Sequence, residues 1–123
     1  MNNKKIGTKF ERYFCNYLSV NGWWVHFISP DRRGAQPFDI VAVRNDVPVA
    51  IDCKTCFDKI FRLDRLEDNQ KTAFSHWISK GNSRAYIIIL HQSSVYAIQF
   101  ERIFREKKID LSKELPIISE VRL

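Results

Sequence analysis

The chain has 123 residues, with 20 Lys plus Arg against 14 Asp plus Glu, a formal net charge of +6 at neutral pH. Its length suits one domain, 1–123, and a hydrophobic content of 45% with 4 Gly and 4 Pro excludes a disordered or collagen-like chain. The longest strongly apolar stretch, Ala85 to Leu90, falls far short of the roughly 18 residues of a membrane helix, so no membrane partner is expected. The start, MNNKKIGTKFER, carries no apolar export signal, and three cysteines make no disulfide framework. A cytoplasmic protein is expected. The positive excess favours an anionic partner, nucleic acid first, because clustered Lys and Arg release the counterions condensed on phosphate.

In chain order, Ile6, Phe10, Tyr13, Phe14, Tyr17 and Leu18 recur at three- and four-residue intervals, which predicts a helix over Thr8 to Val20. Trp23 to Ser29 is aromatic and β-branched and reads as a strand; the turn formers of Ser29 to Pro37 follow as a polar loop. Phe38 to Arg44 and Val49 to Thr55 are two further strands, joined at Asn45-Asp46, a pair that tolerates positive φ and so suits a tight hairpin. Pro48 lies just after that turn, where a missing ladder donor does least harm. Arg65 to Lys80 carries Leu66, Ala73, Phe74, Trp77 and Ile78 on one helical face and stops at Gly81. Arg84 to Leu90 and Val95 to Phe100 read as strands, and Glu101 to Lys108 as a short helix. Residues 109–123 fit an edge strand, a C-terminal arm docking on a dimer partner, or a frayed tail. The order α-β-β-β-α-β-β-α describes an α/β fold, a mixed β-sheet flanked by helices.

The hairpin carries the chemistry. A two-residue turn at Asn45-Asp46 sets Asp39 opposite Asp52, with Cβ atoms about 5 Å apart on one face. Facing carboxylates repel each other, an arrangement made tolerable by a cation between them or by protonation of one. Lys54 shares the face of Asp52 by the period-two rule, whereas Cys53 points the other way. Asp, Asp and Lys on one face suit phosphodiester hydrolysis: hard oxygen ligands hold Mg²⁺, and a cation positions water and steadies the developing charge. Solvated charges on an exposed hairpin are the plain alternative. Against it stands the apolar run Val49-Ala50-Ile51, which suits a strand buried on both faces.

The ordered set of a helical Glu in GTKFERYF, then PFDIVAV, then AIDCKT resembles the PD-(D/E)XK nuclease superfamily. That resemblance implies a restriction-endonuclease-like fold. Within the superfamily the chain is similar to the Holliday junction resolvases, both the small archaeal type and the Gram-positive recombination protein U type. Residues 61 to 74, FRLDRLEDNQKTAF, resemble a segment of the latter in which a Gln follows an FxLxxL run. By that likeness Glu11 completes the metal site, Asp39 and Asp52 are the principal ligands, and the backbone carbonyl of Cys53 is a further ligand. Lys54 is the general base or water-positioning cation, and Gln70 a supporting active-site residue. The resemblance further implies Mg²⁺, with Mn²⁺ as substitute, no small-molecule cofactor, and a homodimer cutting a four-way DNA junction by paired nicks in a bacterium or its phage. The loop of Ser29 to Pro37 is shorter than the junction-probing insertion of the Gram-positive type, which keeps two alternatives open: a same-fold nuclease with another DNA substrate, and a non-catalytic junction-binding module.

Among the remaining residues, Arg32 and Arg33 fit phosphate contacts at the rim of the site. Lys4, Lys5, Lys9 and Arg12 make the start of the first helix basic, against its dipole, for which a phosphate partner is the simplest compensation. Lys71 is a further candidate for the DNA backbone, and Ser29 resembles a serine near the site of archaeal relatives. Solvation, strand ending and, for Glu11, a favourable helix N-terminal charge are the plain alternatives. Cys53 and Cys56 form a C-x-x-C, but a redox pair or zinc site suits neither the strand alternation nor the scattered Cys15, His26, His76 and His91.

Overall fold

The structure, a computed structural model, describes residues 3–28 and 36–123, with side chains from Lys5 onward in the first segment. Helix α1 (Asn3–Val20) buries Phe10, Phe14 and Leu18, the stripe its sequence predicts, and begins five residues before Thr8. It ends at Gly22, whose φ of +87° lets the Trp23 N–H reach back to the Leu18 carbonyl at 3.1 Å. Arg44 fixes this end to the sheet: it donates to the Asn21 carbonyl at 2.9 Å and stacks over Trp23.

Strands β1 (Trp24–Phe27), β2 (Ile40–Arg44), β3 (Val47–Cys56), β5 (Ala85–His91) and β6 (Ser94–Gln99) form one sheet in the order β1-β2-β3-β5-β6. All neighbours are antiparallel except β3 and β5, whose parallel pairing requires a long crossover. Helix α2 (Asp68–Ser79) is that crossover; it stops at Gly81 with φ +94°. Asn45 and Asp46, at φ +52° and +66°, make the expected two-residue turn, and the register Ile40↔Ile51 follows from it.

Period two divides β3 between two cores. Val49, Ile51 and Cys53 pack with α1, while Ala50 and Cys56 join Phe61, Phe74, Phe100 and Ile103 on the side of α2 and α3 (Phe100–Glu106). Phe38 belongs to this second core, stacked on Phe74 at 5.4 Å, because the chain bends at Pro37 to Asp39 before β2 begins.

Several expectations need correction. β2 starts at Ile40 rather than Phe38, β3 extends to Val47 and includes Pro48, and β1 is shorter than Trp23 to Ser29. The second helix starts at Asp68; Leu63–Arg65 is instead a 3-10 turn, since Leu66 and the N-cap Glu67 are extended. Two short strands join the predicted order: β4 (Ile60–Arg62) pairs with β7 (Lys108–Asp110). Three residues each, they carry no periodicity that a sequence could show. Beyond β7 the chain runs along the outer side of β6. Val95 bridges Ile118, and the Val121 N–H donates to the Ser93 carbonyl at 2.8 Å.

Candidate active site

The site lies where the β2–β3 ladder runs out. Beyond Ile40↔Ile51, the Asp39 N–H donates to the Ile51 carbonyl at 3.0 Å, and the Asp39 carbonyl accepts from Ile28 at 2.7 Å. The backbone of Asp39 is thus held between β1 and β3. Its side chain then replaces a backbone acceptor: Oδ2 takes the Cys53 N–H at 2.8 Å. Oδ1 accepts from Gln36 Nε2 at 3.0 Å.

Asp52, with no exposed surface, is the most buried charged residue described, and Asp39 is 4% exposed. Gln70 Nε2 donates to Asp52 Oδ1 at 2.9 Å, and Gln70 Oε1 accepts from Lys54 Nζ at 3.3 Å and from the Glu67 N–H at 3.1 Å. Gln70 is therefore both part of the N-terminal cap of α2 and a bridge between the acid and the ammonium. Lys54 Nζ also lies 2.9 Å from Asp52 Oδ2, an ion pair that holds the second oxygen of this fully buried carboxylate. With two buried carboxylates and one ammonium in the cluster, an excess of negative charge remains that suits a cation.

Electrostatics joins α1 to the cluster. Burial first, then the negative charge of Asp39, push the Asp52 carboxyl up to about 7 against the pull of Lys54. The same causes in the same order push half-buried Glu11 up to about 7. Cys15, one turn on from Glu11, is also raised, by burial and then by Glu11 and Asp39, so this face of α1 looks onto the site. Among the described residues, no three His, Cys, Asp or Glu side chains gather closely enough to hold a metal by themselves. A Mg²⁺ ion needs less than that, since it is bound through one or two carboxylates and keeps several waters. The donor set of Asp39 and Asp52 fits such an ion, and it does not fit a zinc cage.

The structure brings Asp39, Asp52, Lys54 and Gln70 together, and Glu11 on α1 lies within electrostatic reach of Asp39 and Lys54. At Cys53 the group seen in contact is the N–H; because N–H and C=O of one strand residue point the same way, its carbonyl also looks toward Asp39 and away from β5. Lys9 and Arg12 are exposed on α1, as is Lys5. Lys71 pairs with Asp68 at 3.1 Å, which engages its charge within α2. Ser29, Arg32, Arg33 and the side chain of Lys4 lie outside the described residues. Cys53 and Cys56 sit in opposite cores as free thiols, and burial followed by the charges of Asp39 and Asp52 holds the Cys53 thiol well above its ordinary range. Side chains on opposite faces of the sheet cannot share a disulfide or a metal, which removes the C-x-x-C reading. Sequence reasoning missed Gln36 and Asn69: Asn69 Nδ2 donates to the Gln36 carbonyl at 2.9 Å, a contact spanning 33 residues that no local pattern signals.

The family model described as "Archaeal holliday junction resolvase (hjc)" matches residues 2–122. Among solved structures, the chain is similar to Hjc, a Holliday junction resolvase from the archaeal hyperthermophile Archaeoglobus fulgidus. The TM-score is 0.66 with 24% sequence identity, covering 86% of this chain and 89% of that one; the likeness is one of fold. The curated proteins contain no match.

Proposed function

The chain belongs to the archaeal Holliday junction resolvase family, and from that membership we propose that it is a Mg²⁺-dependent endodeoxyribonuclease resolving four-way DNA junctions by paired nicks, with Mn²⁺ as substitute. The family comprises divalent-metal-dependent nucleases that cut such junctions. One observation carries the reading to this chain's own residues. Asp39 and Asp52, nearly or fully removed from water, converge with Lys54 at the end of a core hairpin, two acids against one ammonium. Two adjoining buried carboxylates make sense where a cation is received.

In this reading Asp39, Asp52 and the Cys53 carbonyl bind the ion, and Glu11 completes the set from α1. Bound there, Mg²⁺ supplies Lewis-acid polarisation of the phosphodiester and a more acidic water. Gln70 keeps Asp52 oriented. Lys54, 18% exposed and tethered by Gln70 and Asp52, reaches the surface to position the attacking water and offset charge on the transition state. Lys5, Lys9 and Arg12 give α1 a basic exposed side for the DNA backbone, with Lys71 adding to it only when released from Asp68.

Residues 1–123 are read as one nuclease domain with a single site, so paired nicks call for two copies, a homodimer. The open edge at β1 supports self-association: Trp24 is 62% and Phe27 40% exposed there, whereas the other edge, β6, is lined by the C-terminal residues. No helix among the described residues is long and apolar enough to cross a membrane. A DNA substrate implies work in the cytoplasm; the bacterial or phage host was expected from sequence, and the structural relative is archaeal.

The test is incubation of the purified chain with a labelled four-way junction, a linear duplex and a splayed fork, each with Mg²⁺ or EDTA. Symmetric paired nicks on the junction alone, lost in EDTA, are expected. Cleavage of duplex or fork at equal rate would point to another substrate, and junction binding without cleavage in either metal would point to a binding module.

A further inference from the structure

We propose that Gln36 and Asn69 are positioning residues for Asp39, so that the first turn of α2 holds both carboxylates of the site. The inference deepens the nuclease reading and rests on it. Gln70, within this turn, donates to Asp52 Oδ1 at 2.9 Å. Its neighbour Asn69 donates instead to the Gln36 carbonyl at 2.9 Å, and the Gln36 side chain donates to Asp39 Oδ1 at 3.0 Å. Consecutive helix residues point about 100° apart, so one turn can serve two strands without strain.

The need for such a relay follows from the carboxylate itself. The terminal torsion of Asp is broad, so a single hydrogen bond leaves the plane of the group poorly fixed. The Cys53 N–H on Oδ2 and Gln36 Nε2 on Oδ1 fix both ends. Each oxygen has a second lone pair, so these bonds orient Asp39 while leaving it able to ligate. Outer groups of this kind are worth roughly 10- to 100-fold in metal affinity. Asn69 acts one bond further out, by fixing the backbone from which Gln36 reaches.

The test is Mn²⁺ titration of the full chain by electron paramagnetic resonance, for Gln36→Met, Asn69→Ala and the double variant. Gln36→Met keeps length and apolar bulk but removes the donor. It should raise the Mn²⁺ Kd about tenfold or more and recover wild-type junction cleavage at saturating Mn²⁺. The double variant should bind no more weakly than Gln36→Met alone, because the two residues act in series. Wild-type affinity in Gln36→Met, or losses that add, would overturn the relay. If Asn69→Ala does not fold, Gln36→Met decides alone, since it leaves every backbone hydrogen bond in place. An unsubstituted chain that binds no Mn²⁺ would overturn the nuclease reading itself, a separate result from unequal binding among variants.

Discussion

The carboxylate of Asp39 accepts the backbone N–H of Cys53 at 2.8 Å, across 14 residues of chain, at the point where the β2–β3 ladder would otherwise continue. A side chain thus completes the sheet and is aimed by it. The same contact turns the Cys53 amide edge toward Asp39, and neighbouring Asp52 and Lys54 face α2, where Gln70 meets both.

Asp39→Asn and Asp52→Asn should each reduce junction cleavage below detection while junction affinity is kept or improved. Each loses an anionic ligand but retains the basic surface, and removing a negative charge favours the phosphate backbone. Gel shift in Ca²⁺ alongside cleavage in Mg²⁺ measures both. Wild-type turnover in both variants would exclude these acids from the chemistry.

Gln70→Leu should slow cleavage by roughly 10- to 100-fold. It also removes the donor that Gln70 gives to buried Asp52 Oδ1, at a cost of ~1–3 kcal/mol in stability. Denaturant unfolding and single-turnover cleavage separate the two effects; loss of stability alone would confine Gln70 to capping α2.

The raised carboxyls set a pH dependence whose sign reverses with metal. Without metal, Asp52 and Glu11 sit near 7 rather than at 3.8 and 4.5, so the folded chain holds more protons than the unfolded one between those values. Stability in EDTA should fall as pH rises from about 4 to about 7 and level off above. Metal binding needs the deprotonated forms, so Mg²⁺ affinity should rise over the same window, by up to about tenfold per unit for each proton displaced. Melting midpoints from pH 5 to 8, with and without Mg²⁺, show this as two curves that diverge as pH rises. Asp52→Asn should flatten the EDTA curve; a curve unchanged by that substitution would count against Asp52 as its source.

Asp46→Val should destabilise the fold by ~1–2 kcal/mol, because a β-branched residue is forced to the φ of +66° that this turn requires. Asp46→Gly should be tolerated or stabilising. Because the turn sets the register of Asp39 against Asp52, Asp46→Val should also lower cleavage more than its folded fraction accounts for, as read by thermal unfolding alongside rate.

Much of the site is legible in the sequence because it hangs on local rules. Asn45-Asp46 dictates a two-residue turn, the turn dictates the register, and strand alternation then sets Lys54 beside Asp52 and Cys53 on the other side. The apolar stripe of α1 and the stop at Gly81 are equally local. Where local rules stop, so does the reading. Ile60–Arg62 and Lys108–Asp110 are strands only because each finds the other across the chain, and Arg65 lies outside α2 because Glu67 and Gln70 cap the helix later. Gln36 and Asn69 carry no signal of their own, for a carboxamide near a loop is chemically ordinary until folding sets it 3.0 Å from a buried acid. The sequence by itself determined which acids and which lysine share a hairpin, since period and turn geometry act over a few residues. Only the tertiary structure decided what orients them and how far burial raises their proton affinity, because donors, desolvation and neighbouring charge all come from elements distant in the chain.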